Sequence, residues 1–231
     1  MKSSTAALAA AATLGLASGA AAQESAAPTD PQARMSYALG LNLGQSLQRD
    51  GLIVDPAALA RGVHDAMSGG KPALTDDEIR VALAQLQVQA QAHRVEAATQ
   101  AAAANRAEGA AFLKTNAARP GVVTLPGGLQ YEVLTKGSGP VPKLTDTVVC
   151  NYRGTLINGG EFDSSYKRGE PSSFPVSGVI KGWTQALQLM PVGSKWRLFV
   201  PAELAYGDKG AGADIGPGAT LIFEVELLSI Q

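Results

Sequence analysis

Two periodicities divide the chain. Up to about residue 118 the apolar residues recur every three or four positions; after residue 121 they alternate with polar ones. In the first stretch Met35, Leu39, Leu43 and Leu47 follow Asp30-Pro31 at spacings of four. This predicts a helix with an Asp cap and Pro in its first turn, ended by Asp50-Gly51. Asp55-Pro56 opens a second helix in the same way, with Leu59, Val63 and Met67 as its stripe and Gly69-Gly70 as its stop. These helices are too short to enclose a core of their own. Gly40 and Gly44 stand four apart, a spacing that admits a close second backbone but also accompanies ordinary helix packing. Thr75 and Glu78 have capping-box spacing, and helical sequence then runs to about Ala118. At ~1.5 Å per residue that helix is roughly 60–65 Å long. Ile79, Leu83 and Leu86 give it an apolar face at first. Beyond Val95 it is nearly all Ala, Gln, Glu and Arg, with little to bury, which suits a solvent-bridging arm between domains. Pro120-Gly121 breaks it.

In the second stretch Val148, Cys150 and Tyr152 share one face of a strand, as do Trp196, Leu198 and Val200 of another, and Thr220 to Leu228 predicts a third. Between the first two lies a short amphipathic segment, Trp183 to Met190, stopped by Pro191. A helix of about two turns is marginal alone in water, so it must lie against the sheet. Trp183 and Leu187, at i and i+4, face the same way and place an indole in the hollow between helix and sheet. The predicted fold class is α+β: an antiparallel half-barrel sheet around a short helix, preceded by an all-α module and a long connecting helix. The predicted segments are 1–22, a signal peptide; 23–74, a helical dimerisation module; 75–120, the connecting helix; and 121–231, the sheet domain.

Composition agrees with two domains. All the aromatic residues but Tyr37 and Phe112 lie after residue 122. The net charge of −1 gives no footprint for nucleic acid. Residues 1–22 read as a secretory signal: Lys2, the apolar run Ala6 to Leu16, and a cleavage site of small residues at Ala20-Ala21-Ala22. No later stretch is apolar over the roughly eighteen residues a membrane span needs. The single cysteine, Cys150, allows no intrachain disulfide and reads as a small buried hydrophobe. Both histidines, His64 and His93, lie in the helical half, so the sheet domain has no imidazole for a nucleophilic triad, and neither has metal-ligand spacing. The Gly-rich loop from Gly207 to Gly218 lacks the ending of a phosphate loop and leads into a strand.

Several words of the C-terminal half agree in order and spacing with one family. VIKGW at 179–183, AYG at 205–207 and EFDSS at 161–165 resemble the FKBP-type peptidyl-prolyl cis-trans isomerases over about Thr124 to Gln231. With the paired short helices and the long arm, FLKTN at 112–116 and GVVTLPGGLQYEVL at 121–134 resemble the Mip/FkpA-like subgroup. That resemblance implies a homodimer through intertwined N-terminal helices; a monomer with a helical hairpin is the alternative.

The resemblance also implies the site. Tyr152, Phe162, Asp163 and Tyr206 stand at catalytic positions, and Val179, Ile180, Trp183, Ile215 and Phe223 at substrate-binding positions. Trp183 would be the floor under a proline ring, Phe162 and Phe223 walls, and the Ile180 N–H and the Tyr206 hydroxyl holders of peptide carbonyls. Asp163 by itself reads as a strand-end cap or a partner of Arg168; the resemblance implies that it faces the pocket and binds Tyr152. Neither cofactor nor metal enters this reading. Macrolide inhibitors are implied ligands, but Ser172, Ala211 and Asp214 make the rim more polar than in many members, which have an aromatic, a His and an Ile there. The expected function is isomerisation of X–Pro bonds in unfolded or folding exported proteins. The expected compartment is a bacterial periplasm, with secretion as second choice. The rival reading is a periplasmic holdase chaperone that binds Pro-containing segments with little turnover.

Overall fold

The computed structural model describes residues 27–231. The signal expected at 1–22 lies outside the described residues. The chain divides into two compact units at Gln48/Arg49.

In the first unit Asp30 accepts the Ala33 N–H at 2.8 Å and opens α1 (Pro31–Arg49). No residue of α1 is buried, and Met35, Leu39 and Leu43 are all exposed.

The second unit begins with α2 (Pro56–Ser68). Its cap Asp55 accepts the N–H groups of Ala57 and Ala58 at 2.8 and 3.3 Å. It too buries nothing, and Leu59, Val63 and Met67 stand open to solvent. Helix α3 (Asp76–Ala117) starts at a complete capping box: Thr75 Oγ1 accepts the Glu78 N–H at 3.3 Å, while the Thr75 N–H donates to Glu78 Oε2 at 2.8 Å. No described helix is long and apolar enough to cross a membrane.

Seven antiparallel strands follow: β1 (Val122–Thr124), β2 (Gln130–Thr135), β3 (Thr147–Leu156), β4 (Glu161–Ser164), β5 (Ser172–Pro175), β6 (Lys195–Val200) and β7 (Leu221–Ile230). They form one sheet in the order β1-β2-β6-β7-β3-β4, with β5 sharing the β3 edge with β4. Alternation sorts the two faces. Val148, Cys150 and Tyr152 of β3, Trp196, Leu198 and Val200 of β6, and Leu221, Phe223, Val225 and Leu227 of β7 are buried on the inner face. Against them packs α5 (Lys181–Leu187), which buries Trp183, Ala186 and Leu187. A one-turn helix, α4 (Ser165–Arg168), joins β4 to β5. On the outer face Arg197 lies opposite Glu132 and Glu224 in the register of β2, β6 and β7, and donates to Glu224 at 2.7 Å and Glu132 at 3.5 Å.

The far end of α3 departs from the expected free arm. Its last four turns lie on the sheet domain and bury Ala102, Gly109 and Asn116. Phe112 packs on Phe199, the outward residue of β6, with ring centroids 5.9 Å apart. The buried amides of Asn116 and Gln130 join at 2.8 Å, and Gln130 donates on to the Leu113 carbonyl at 2.9 Å. Two buried amides that satisfy each other fix a register that apolar contact alone would leave loose.

Candidate functional site

The short helix α5 meets the sheet where β3, β4 and β7 converge, and the hollow there is a cavity of about 500 Å³. All nine residues singled out from the sequence line it: Tyr152, Phe162, Asp163, Val179, Ile180, Trp183, Tyr206, Ile215 and Phe223. Trp183 is 4% exposed and stands nearly perpendicular to the rings of Tyr152, Phe174 and Phe223, at centroid distances of 5.4, 5.7 and 5.3 Å. Phe162 and Phe223 meet at 5.5 Å and 83°. Edge-to-face contacts of this kind hold an aromatic cage rigid.

One cluster of polar groups lies at the edge. The Tyr152 hydroxyl donates to Asp163 Oδ2 at 2.5 Å. Arg168, at the end of α4, donates to Asp163 Oδ1 at 2.5 Å, to the Tyr152 hydroxyl at 2.8 Å and to Ser172 Oγ at 2.9 Å. Its guanidinium also lies over the Tyr152 ring, 5.3 Å from the centroid. Both readings of Asp163, as partner of Arg168 and as partner of Tyr152, therefore hold at once. Burial raises the Asp163 pKa, but donation from Tyr152 and Arg168 outweighs it and holds the carboxyl below its ordinary value. Burial and the Asp163 carboxylate raise the Tyr152 pKa, so the phenol stays protonated and remains a donor.

The sequence reading missed two contributors, Phe174 and Gly154, and foresaw Arg168 as a partner of Asp163 but not as the organiser of the whole polar cluster. Phe174 of β5 lines the cavity; its signal was the Ser-Ser-Phe-Pro alternation, too short to stand out. Gly154 of β3 stands where a Cβ would overlap the rings of both Phe162 and Phe223, so only glycine lets the two walls meet there. The Gly207–Gly218 loop forms a flap along the rim: Ala211, Gly212 and Asp214 join Tyr206 and Ile215 in the lining. The flap is closed at its base by the Gly218 N–H on the Gly207 carbonyl at 2.9 Å, and at its tip by the paired Ala211 and Ile215 backbones at 2.9 and 3.1 Å.

The site is thus an aromatic cage floored by a tryptophan, set in a half-barrel wrapped on one short helix. Residues 139–228 match the FKBP-type peptidyl-prolyl cis-trans isomerase family, and residues 32–133 match the domain amino terminal to FKBP-type peptidyl-prolyl isomerase. The chain belongs to the FKBP-type peptidyl-prolyl cis-trans isomerases, and its activity is that of a peptidyl-prolyl cis-trans isomerase. It is 44% identical over 218 residues to the outer membrane protein MIP of Legionella longbeachae, covering 94% of each chain. It is 49% identical over 200 residues to the FKBP-type 22 kDa peptidyl-prolyl cis-trans isomerase of Escherichia coli K12, covering 86% of this chain and 95% of that one. The crystal structure of FkpA from Escherichia coli superposes with a TM-score of 0.72 at 40% identity, covering 88% of this chain and 98% of that one.

Proposed function

We propose that the chain isomerises X–Pro bonds of exported proteins as they fold in the periplasm, and that the reaction takes place in the Trp183 cavity. The observation that carries the site is the cage itself: apolar rings on its floor and walls, with the Asp163–Tyr152–Arg168 cluster on one edge. An X–Pro bond rotates over a barrier of about 18–20 kcal/mol set by amide resonance. No bond is made or broken, so the site needs no nucleophile and no proton carrier. Twisting the amide returns electron density to nitrogen and lowers the carbonyl dipole. A dry aromatic cage stabilises that less polar twisted form relative to the planar ground state. Trp183 supports the pyrrolidine ring, while the Ile180 N–H and the Tyr206 hydroxyl hold the flanking carbonyls. Residues 1–22 act as the export signal, and residues 23–74 join two copies. The four segments predicted from the sequence serve in turn export, dimerisation, connection and catalysis.

A holdase that binds without turnover is the second reading, favoured by the exposed apolar side chains of α1 and α2. Asp163→Leu separates the two. It removes the polar anchor but leaves an apolar side chain of similar size. Acceleration of proline-limited refolding should fall tenfold or more, about 1.4 kcal/mol, while suppression of aggregation stays near the parent level. Loss of both, with circular dichroism unchanged, would mean that catalysis and holding share the cavity. Loss of neither would remove Asp163 from the reaction.

A further inference from the structure

Helix α3 lies outside the cavity, yet it touches the flap that borders it. Asn105 donates its side-chain amide to the Pro217 carbonyl at 2.8 Å. One turn position on, Arg106 pairs with Asp208 at 2.7 Å and Glu203 at 3.2 Å. Pro217 and Asp208 are the two ends of the flap, so one helix holds both. Among the described residues, these are the only side-chain hydrogen bonds and ion pairs that reach residues 207–218 from another element. The contact is also close. A Cβ on Gly218 would overlap the Ala102 backbone, and one on Gly109 would overlap Thr220. Positions 102, 105, 106 and 109 follow helical spacing and form one face of α3.

We infer that Asn105 and Arg106 are positioning residues for the isomerase site, acting through the flap ends to set the place of Tyr206, Ala211 and Ile215 at the rim. This rests on the Trp183 cavity being the reaction site. The flap has no core of its own. Inside it, the Ala211–Ile215 pairing and the Gly218–Gly207 bond fix its shape but not its angle to the cavity. That angle is set by Ile215, buried in the domain core, and by what the two ends are tied to. An exposed ion pair alone contributes little, so the two anchors act as a set, the part-buried Asn105 amide with the Arg106 pair. Because the flap forms the rim rather than the floor, loosening it weakens the hold on substrate more than it slows the twist.

The test uses the full chain with Asn105→Ala, Arg106→Ala, the double variant and Arg106→Lys. For the double variant we expect kcat/KM on a proline tetrapeptide to fall about fivefold, carried by KM with kcat nearly unchanged. Amide exchange at Gly212 to Ile215 should quicken about tenfold, while that at Leu198 and Val225 in the sheet stays as in the parent. Arg106→Lys, which keeps the charge beside Asp208, should restore most of the Arg106→Ala loss. Faster flap exchange with unchanged kcat/KM would overturn the positioning role, as would unchanged flap exchange. Faster exchange in the sheet as well would reduce both residues to general stability and overturn it too. If Asp163→Leu and Phe162→Ala both leave turnover intact, the cavity reading fails; if either lowers turnover tenfold but the double variant does not lower it, this inference alone fails.

Discussion

At the scale of single residues the site rests on a carboxylate held ionised beside an apolar cage. Asp163 is kept below its ordinary range because two donors, Tyr152 and Arg168, outweigh the cost of its partial burial. A depressed carboxyl lends its stabilisation above the unfolded value, about 3.9, and loses it as pH falls through the lower folded value. The cavity lining contains no histidine. kcat/KM on a proline tetrapeptide should therefore be flat from about pH 8 to about pH 4.5 and decline only below that. A break near pH 6 to 7 would show that an imidazole or a raised carboxyl takes part. Six of the nine lining residues legible beforehand stand inside dense sequence words: Val179, Ile180 and Trp183 in one, Phe162 and Asp163 in another, Tyr206 in a third. Tyr152, Ile215 and Phe223 followed from the family resemblance alone, and Arg168 was legible only as a partner of Asp163. Phe174 and Gly154 escaped because their roles are relations. A glycine whose missing side chain admits two distant rings has no periodicity to betray it.

At the scale of elements, β3, β6 and β7 announced themselves by alternation and α1 to α3 by their caps, and the capping box at Thr75 formed as spaced, whereas the shorter strands and α4 carry too few residues to show a period. The docking of α3 did not. Apart from Phe112, its contact face reads Ala102, Asn105, Arg106 and Gly109, which carries no hydrophobic signal, because there small side chains bring the backbone close and polar atoms do the binding. Apolar patterning detects burial by large side chains and passes over burial by their absence. Gly218 concentrates this contact: its φ is +71°, and a Cβ would overlap the Ala102 backbone. Gly218→Ala should thus cost more than about 1 kcal/mol in urea unfolding, from backbone strain together with the overlap. An unchanged midpoint would mean that helix and flap do not stay in contact in solution.

At the scale of the whole molecule, the helices before residue 75 leave apolar surface uncovered. Neither α1 nor α2 buries a single residue, and Met67 is 84% and Leu39 73% exposed. Scattered apolar residues on a surface are ordinary, but an exposed apolar stripe along each of two helices is what the proposed dimer would cover. We expect light scattering on the chain from residue 27 to give a dimer, and Leu39→Glu with Leu43→Glu to give a monomer. That monomer should keep parent turnover on short peptides, since neither leucine is among the residues that line the cavity. A parent protein that scatters as a monomer would end the dimer proposal.

The buried position of Cys150 has a practical consequence. Its thiol is fully enclosed, and burial pushes its pKa up to about 12. It sits in the middle of the domain, on a strand paired with β5 along one edge and β7 along the other. An alkylating reagent needs the thiolate and a path to it. It finds neither until the centre of the sheet comes apart. With no second cysteine to compete, the labelling rate of the unmodified chain is a clock for that one event. The protein thus carries its own built-in gauge of how often its core opens.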